Sequence, residues 1–216
     1  MKKIIDIDMW KRRDNYHFFS NFLNPCISIT SEVDCTEAKQ KASQNKKSFF
    51  LTYLYAILRA ANEIEELRYR IKRDGQVVLY DKLDVITPIQ VSEDGKFTSV
   101  RIPWNQDFEK FHESAREIIK QADADEDPYA YTYDRNILDD DNYDVILVSA
   151  TPDLYFTSVT HTQEHKNGSD FPLLNVGKAV TREGRLVMPV AINIHHGLVD
   201  GKHLSDFFRK VEEYLK

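Results

Sequence analysis

The amino-acid sequence predicts an α/β domain, a two-layer sandwich in which helices pack on one large mixed sheet. Apolar residues recur with helical spacing in some segments and with strand character in others, and the two kinds are interspersed along the chain. The turn signals at residues 73–75 and 182–184 each stand between strand-like segments, which indicates hairpins rather than a doubly wound parallel sheet. Hydrophobic residues make up 42% of the 216 residues, so the chain can bury a core, although its length fits one large domain or two small ones.

Four segments are predicted to be helices from the spacing of their apolar residues, namely residues 36–43, 48–62, 107–122 and 202–214. Ser48 precedes the second helix in the position of an N-cap, where its side-chain oxygen can accept a free backbone N–H. In the last helix, Leu204, Phe207 and Val211 lie along one stripe, which is typical of a helix with one buried face.

Seven segments rich in β-branched or aromatic residues are predicted to be strands, namely residues 26–30, 76–80, 85–91, 97–102, 145–149, 155–160 and 185–194. The acidic runs at residues 123–127 and 139–141 are interpreted as solvated loops. Consecutive aspartates in a flexible loop lack the ordered cage that a cation needs.

The composition argues against several classes of protein. The net charge of −6 leaves no basic excess of the kind that nucleic-acid binders carry. The first residues lack the apolar stretch of a signal peptide, and no apolar run approaches the ~20 residues of a membrane span. Two cysteines, Cys26 and Cys35, form no disulfide framework or metal-ligand pattern. The sequence therefore predicts a soluble cytoplasmic protein.

The strand at residues 185–194 leads into a pair of histidines. Side chains alternate along a strand, so His196 is expected to end the apolar row that contains Ile192 and Ile194, with His195 on the other face. Apolar surroundings favour the neutral imidazole that a general base needs. A histidine at a strand end can also be an ordinary core or surface residue. A metal site is not expected, because adjacent histidines on a strand do not converge on one ion.

Asp200 and Gly201 follow the histidines and open the last predicted helix. Asp200 can cap that helix, and Gly201 permits an unusual backbone angle.

Residues 195–201, His-His-Gly-Leu-Val-Asp-Gly, match the His-His-x-x-x-Asp-Gly signature of chloramphenicol acetyltransferases, and four other parts of the chain resemble that family in the same order. They are residues 6–12 (Asp-x-x-x-Trp-x-Arg), residues 67–75 (Leu-Arg, Ile-Lys and Asp-Gly), residues 149–158 (Ser-x-x-Pro, then Phe-Thr-Ser), and Gly177-Lys178 together with residues 186–189. The resemblance spans nearly the whole chain. It implies a single domain, residues 1–216, with the mixed-sheet fold of that family.

The resemblance also implies an activity, the acetyl-CoA-dependent O-acetylation of a small acceptor such as chloramphenicol, the chemistry of an antibiotic-resistance enzyme. His196 matches the general base, which lets the acceptor hydroxyl attack the thioester directly. Ser149 matches the serine that stabilises the tetrahedral oxyanion, and Asp200 pairs with Arg12 to hold the histidine segment. Acetyl-CoA is a co-substrate rather than a permanent cofactor. The family is a homotrimer, with each active site between two subunits.

Four further residues concern the two substrates. Lys178 is a candidate contact for a CoA phosphate, and Asn175 stands where the family usually carries a threonine that helps bind the transition state. Phe19 occupies the place of a pocket tyrosine, and Asp153 that of a tryptophan. A carboxylate in place of an indole favours a more polar or cationic acceptor, provided that Asp153 faces the acceptor.

Two competing functions stay open at this point. Dihydrolipoyl acyltransferase domains share the His-x-x-x-Asp-Gly chemistry, but they usually follow lipoyl modules and Ala/Pro-rich linkers, which this sequence lacks. A catalytically altered or inactive relative could instead bind a small molecule on the same trimeric scaffold. The retention of His196, Asp200 and Ser149 argues against lost catalysis.

Overall fold

A computed structural model describes residues 1–72, 74–122, 143–162 and 172–216. In this part of the chain the elements are, in order, β1 (Lys2–Ile4), α1 (Arg13–Phe19), β2 (Cys26–Asp34), α2 (Thr36–Gln44), α3 (Phe49–Glu63), β3 (Tyr69–Ile71), β4 (Val77–Tyr80), β5 (Asp84–Gln90), β6 (Phe97–Ile102), α4 (Phe108–Gln121), β7 (Val145–Thr151), β8 (Leu173–Gly177), β9 (Val180–Arg182), β10 (Arg185–His195) and α5 (Gly201–Tyr214). Single turns of 3-10 helix lie at Ile7–Met9 and Glu65–Arg68.

The large sheet is mixed, as the sequence predicts. Its strand order is β2-β10-β8-β7-β5-β6, with β9 paired to β10. The pairs β5–β7 and β7–β8 are parallel, and the other pairs are antiparallel. A second, small sheet has the order β1-β4-β3.

One face of the large sheet forms the core. Paired residues on neighbouring strands present their side chains to the same face, and Val190 of β10, Val176 of β8 and Val148 of β7 all belong to the buried apolar cluster. Helices α3 and α5 pack against each other, and α5 also contacts β2. The apolar stripes of these helices are fully buried, including Leu58 and Phe207. This arrangement is the expected two-layer sandwich.

The other face of the central strands is polar, and we call it the polar face. It carries the side chains that alternate with the core row, and along β10 these are Ala191, Asn193 and His195. Asn193 and His195 are only 3% exposed. Asn193 donates a hydrogen bond from Nδ2 to Ser28 Oγ of β2 at 2.6 Å, so neighbouring strands satisfy each other's polar groups.

The predicted helices are confirmed to within a few residues. Ser48 caps α3, since its side chain accepts a hydrogen bond from the backbone N–H of Leu51. The hairpin between β9 and β10 turns through Glu183 (φ 48°) and Gly184 (φ 79°), left-handed angles that match a tight hairpin turn. Gly75 also has a positive φ of 81°, but Arg73 of that predicted turn lies outside the described residues.

One predicted strand is wrong. Residues 155–160 contain no strand, because this segment leaves the end of β7 and crosses the polar face. Phe156 and the carbonyl oxygen of Leu154 press against Gly177 of β8, and Tyr155 hydrogen-bonds Glu32 of β2 through its hydroxyl. The β-branched and aromatic residues here serve packing against a sheet rather than pairing within it. The acidic runs 123–127 and 139–141 lie outside the described residues.

Five elements have no counterpart among the predicted segments, namely β1, α1, β3, β8 and β9, although the predicted turns at residues 73–75 and 182–184 adjoin β3 and β9. β1 is exposed throughout, and α1 has no buried residue, so neither carries the hydrophobic pattern from which elements are recognised. Among the described helices, none combines the length and the hydropathy that crossing a bilayer would require.

Candidate active site

His196 lies in the turn that follows β10. The prediction that His196 ends the apolar row of the strand is wrong. The strand ends at His195, so the alternation of side chains between the two faces does not extend to His196. Its backbone N–H donates to the carbonyl of Pro25 at 2.8 Å, and its ring stacks on Phe19 with centroids 3.9 Å apart and an interplanar angle of 8°. The side chain stays 28% exposed, so the ring is held in place and still accessible.

The hydrogen bond at Nδ1 sets the tautomer of His196. Nδ1 lies 2.9 Å from the carbonyl oxygen of Val199. A carbonyl can only accept, so in the neutral ring the proton sits on Nδ1 and the lone pair sits on Nε2. An imidazole with a bare Nε2, held by a backbone carbonyl and an aromatic ring, is suited to taking a proton from a bound molecule.

Arg12 and Asp200 fix the backbone of the same turn. The guanidinium of Arg12 donates to both Asp200 carboxylate oxygens, at 2.7 and 3.0 Å, and to the carbonyl of Gly197 at 3.1 Å. Arg12 is 6% exposed, and its charge holds the pKa of Asp200 below its usual value. Asn15 adds a contact to Asp200 at 3.4 Å. The predicted pair is therefore present, and it clamps the turn that carries His196.

One expectation for this segment is confirmed and one needs correction. Asp200 is the N-cap of α5 and forms a capping box with His203, whose Nδ1 accepts from the Asp200 backbone N–H at 2.9 Å, and the Asp200 carboxylate also accepts from Arg12. Gly201 begins the helix without a left-handed backbone angle, and a Cβ there would meet nothing within 4 Å. Gly201 is therefore not required by backbone geometry.

The glycine that the turn does require is Gly197, whose role is not predicted from the sequence. A Cβ there would stand 2.9 Å from the His195 ring and 3.0 Å from the Cα of Tyr16. His195 Nδ1 accepts the Gly197 N–H at 3.0 Å, and burial, with the neighbouring His196, lowers the pKa of His195 to about 4. His195 is thus a neutral, buried support of the turn. The close approach of α1 is a non-local contact that no local signal reveals.

A second group of candidate residues lies elsewhere on the polar face. Ser149 of β7 pairs with Asn175 of β8, and Asn175 pairs with Ala191 of β10, so the three side chains form one row. Thr151 donates a hydrogen bond to Asn175 Oδ1 at 3.0 Å, so the side-chain N–H groups of Asn175 point the other way and can donate to a bound molecule. A hydroxyl and an amide donor therefore stand on adjacent strands, roughly 5 Å apart.

Asp153 and Lys178 lie at the same end of these parallel strands, just beyond their last residues, and both are exposed. The backbone N–H of Lys178 donates to the carbonyl of Leu154 at 2.9 Å, which joins the two loops. Each side chain is free to meet a ligand or solvent at this edge of the polar face.

The candidate residues thus form two groups that one chain does not bring together. Along β10, His195 lies four residues beyond Ala191, roughly 13 Å, and β7 lies two strands away, roughly 10 Å. Ser149 is therefore about 16 Å from the end of β10, where the turn that carries His196 begins. We call Arg12, Phe19, His196 and Asp200 the histidine group, and Ser149, Asn175, Asp153 and Lys178 the serine group.

Comparisons with known proteins agree on one family. The family model described as chloramphenicol acetyltransferase matches residues 2–212. Among curated proteins, the chloramphenicol acetyltransferase of Proteus mirabilis is 26% identical over 211 residues, covering 98% of this chain and 93% of its own. Chloramphenicol acetyltransferase 3 of Escherichia coli is 25% identical, with coverages of 96% and 94%.

Solved structures give the same result. A structure described as chloramphenicol acetyltransferase is 56% identical, covers 100% of both chains and superposes with a TM-score of 0.95. The cubic core of a pyruvate dehydrogenase multienzyme complex is 17% identical, covering 94% of this chain and 85% of its own, with a TM-score of 0.63. At that identity the second likeness concerns the fold alone.

Proposed function

The chain belongs to the chloramphenicol acetyltransferase family and is an acyltransferase, and from that premise we propose that it acetylates a hydroxyl group of a small acceptor with acetyl-CoA, using His196 as general base. The observation that carries the proposal is the contact between His196 Nδ1 and the Val199 carbonyl at 2.9 Å. In the neutral ring this contact places the proton on Nδ1 and leaves the lone pair on Nε2, which is the tautomer that a general base acting through Nε2 needs.

The proposed reaction is a direct transfer. Nε2 of His196 takes the proton of the acceptor hydroxyl as its oxygen attacks the thioester carbonyl. The C–O bond forms first, giving a tetrahedral oxyanion. The C–S bond then breaks, and the imidazolium returns the proton to the leaving CoA thiolate. The products are the acetyl ester and CoA, with His196 neutral again.

Ser149 and Asn175 are the proposed donors to the oxyanion. Both lie in one row of the polar face, and the contact from Thr151 turns the amide of Asn175 so that its N–H groups are the free end. One preorganised donor of this kind is typically worth about 3–4 kcal/mol of transition-state stabilisation. Asn175 can therefore replace the threonine usual in the family, with an amide N–H in place of a hydroxyl.

The remaining residues have supporting roles in the proposal. Arg12 and Asp200 hold the turn, Phe19 supports the His196 ring, and Lys178 offers a positive charge to a CoA phosphate. Asp153 is exposed in the isolated chain, so its carboxylate stays solvated unless an acceptor or a second subunit covers it.

A complete site requires two copies of the chain in this proposal, arranged as a homotrimer. The histidine and serine groups are about 16 Å apart within one chain, farther than any single reacting centre spans. Around Phe19, the aromatic side chains of Phe18 and Phe22 are 60% and 50% exposed. Exposed apolar surface beside the histidine group is what a neighbouring copy can cover.

The test is CoA thiol release from acetyl-CoA with chloramphenicol and with a panel of other alcohols and amines. We expect release in the wild type, complete loss of it in His196→Ala, and a loss of about 10²–10³ in kcat in Ser149→Ala. Ser205→Ala, an exposed serine on α5, is the matched control and keeps full activity.

Release with an acceptor other than chloramphenicol keeps the mechanism and changes the substrate. If no acceptor in the panel supports release, the transferase proposal is wrong, and a role in small-molecule binding on the same scaffold becomes the better hypothesis.

A further inference from the structure

A single peptide bond connects two histidines in the turn after β10. The carbonyl oxygen of Val199 lies 2.9 Å from His196 Nδ1, and the N–H of the same peptide bond, which belongs to Asp200, donates to His203 Nδ1 at 2.9 Å. A peptide bond is planar, and its C=O and N–H point in opposite directions, so the two groups can only turn together. The direction of the carbonyl that holds His196 therefore depends on the hydrogen bond to His203.

His203 reaches this peptide bond from the first turn of α5. It is the third residue of the helix, and its side chain forms the capping box with the Asp200 backbone. A glutamate or glutamine usually fills this position and accepts through a side-chain oxygen. Here an imidazole nitrogen accepts instead, and it can do so only while it carries no proton. The neutral ring of His203 therefore has its proton on Nε2, the opposite tautomer to that of His196.

Glu66 faces the protonated nitrogen of His203. Its Oε1 lies 3.6 Å from His203 Nε2, and its side chain is 14% exposed. Burial raises the pKa of Glu66, but the hydrogen bond from Lys11 Nζ to the same oxygen, at 3.1 Å, and further interactions bring that pKa below its usual value. An ionised carboxylate can only accept. It therefore stabilises the His203 tautomer that leaves Nδ1 available to the Asp200 N–H.

The contact that His203 makes differs from those of Arg12. Arg12 binds the Asp200 carboxylate and the Gly197 carbonyl oxygen. His203 binds the N–H of the peptide bond whose oxygen accepts from His196. Hydrogen bonds in a chain polarise one another, so donation by the N–H strengthens the carbonyl of the same peptide bond as an acceptor. His203 thus affects both the direction and the strength of the contact that sets the His196 tautomer.

We propose that His203 is a positioning residue for the reaction, which keeps His196 in its Nδ1-protonated tautomer by fixing the peptide bond between Val199 and Asp200, and that Glu66 sets the tautomer of His203. The inference rests on the proposed transferase function, in which Nε2 of His196 takes the acceptor proton. The role needs no contact between His203 and either substrate. Without His203 the peptide bond can turn, and the His196 proton distributes between Nδ1 and Nε2. Molecules with the proton on Nε2 cannot act as the base.

The kinetic test compares His203→Leu with His203→Gln. Leucine removes the acceptor, whereas glutamine offers the side-chain oxygen that is usual in a capping box. We expect His203→Leu to lower kcat about five- to tenfold, the effect of one lost hydrogen bond, and His203→Gln to recover most of it. The KM for acetyl-CoA stays unchanged, because Lys178, the proposed CoA contact, lies beyond the end of β8. A wild-type kcat in His203→Leu, or an equal loss of kcat in both variants, would overturn the inference.

Two neighbouring glutamates provide a matched pair of variants. Glu66→Leu removes the carboxylate that faces His203, so we expect a fall in kcat that is smaller than that of His203→Leu. Glu65 contacts Lys11 and the hydroxyl of Tyr69, and Glu65→Leu is expected to keep the wild-type kcat. Equal kcat in the two glutamate variants would overturn the role assigned to Glu66.

Nitrogen NMR of histidine-labelled protein tests the geometry without turnover, because it shows which ring nitrogen carries the proton. At a pH at which both rings are neutral, we expect opposite tautomers in the wild type and a mixture at His196 in His203→Leu. An unchanged His196 tautomer in that variant would overturn the inference. If the wild type releases no CoA with any acceptor, the transferase proposal is wrong, and a changed His196 tautomer in His203→Leu still supports the positioning by His203.

Discussion

At the scale of single residues, the orientation of His196 comes from a backbone carbonyl rather than from a carboxylate. Asp200 is the nearby acid, but its Oδ1 lies 3.8 Å from His196 Nδ1, beyond a good hydrogen bond, and both of its oxygens accept from Arg12. The guanidinium thus keeps the carboxylate away from the imidazole and compensates its charge. This arrangement predicts that Arg12 influences the protonation of the His196 ring by compensating the charge of Asp200.

Arg12→Ala leaves a bare carboxylate beside the ring. A nearby negative charge favours the protonated imidazole, so we expect the acid limb of the kcat/KM profile to move to higher pH, together with a fall in activity. In the double variant Arg12→Ala/Asp200→Asn the charge is gone, and the limb returns towards its original position. If the activity of the single variant falls equally at every pH, the charge of Asp200 does not act on His196 in the way predicted.

A pair of glycines allows a matched test of the turn. Gly197→Ala places a Cβ 2.9 Å from the His195 ring and 3.0 Å from the Tyr16 backbone, so we expect a loss of roughly 1–3 kcal/mol of unfolding free energy together with a fall in kcat. Gly201→Ala, four residues on, fills open space at the start of α5 and is expected to be neutral or slightly stabilising. Denaturant unfolding compares the two, and equal effects would show that the crowding at Gly197 is relieved by movement.

At the scale of elements, the N-terminus of α3 depends on a histidine of α4. The backbone N–H of Ser48 donates to Nε2 of His112, which is 2% exposed, at 3.1 Å. Burial and then the charges of Lys47 and Arg116 lower the pKa of His112. Only the neutral ring can accept this hydrogen bond, so protonation breaks the connection between the two helices.

This predicts a loss of stability on acidification. His112 and His195 both have a folded pKa below the unfolded value of about 6.5, so their contribution is complete above that pH and is lost as the pH falls through the folded values. For His195, with a pKa of about 4, the loss reaches about 2 kcal/mol at pH 5. Tm measured between pH 8 and pH 5 should fall in the wild type and fall less in His112→Gln. An identical pH dependence in the two proteins would exclude His112 as a contributor.

The elements that could be predicted are those whose signal lies within their own residues. Elements that depend on contacts with distant parts of the chain could not be predicted. Helices α3, α4 and α5 were predicted because each carries a long apolar stripe, and Ser48 marks the start of one of them. α1 was missed because its residues face the turn of His196 and leave no buried row. Residues 155–160 have the composition of a strand, but composition does not distinguish a segment that pairs within a sheet from one that packs across it.

The candidate site likewise has features that a sequence motif predicts and features that depend on long-range contacts. His196, Asp200 and Arg12 follow from a motif, but the roles of Gly197 and Asn15 depend on how closely α1 approaches the end of β10. The separation of the two groups follows from strand order, which places β8 between β7 and β10. Strand order is set by long-range packing, so it could not be predicted from spacing along the chain.

At the scale of the whole molecule, a site shared between copies predicts complementation. His196→Ala has an intact serine group, and Ser149→Ala has an intact histidine group. In a mixed oligomer, a copy that retains His196 meets a copy that retains Ser149 at some interfaces. Random mixing of equal amounts gives such a pair at about a quarter of the sites in a closed ring. We therefore expect two nearly inactive variants to recover about a quarter of the wild-type CoA release when unfolded and refolded together.

The control for this experiment is the double variant His196→Ala/Ser149→Ala refolded with the wild type. Random mixing again leaves about a quarter of the sites with both residues, but here the intact pairs come from neighbouring wild-type copies. The decisive comparison is therefore between the CoA release of the two single variants refolded together and the CoA release of each variant refolded alone. If both groups acted within one chain, each copy would keep its own defect and mixing would add nothing. A gain near a quarter of the wild-type activity would mean that His196 of one copy works with Ser149 of a neighbouring copy, since the two groups are roughly 16 Å apart within one chain. No gain would mean that one chain rearranges to bring its own Ser149 to His196.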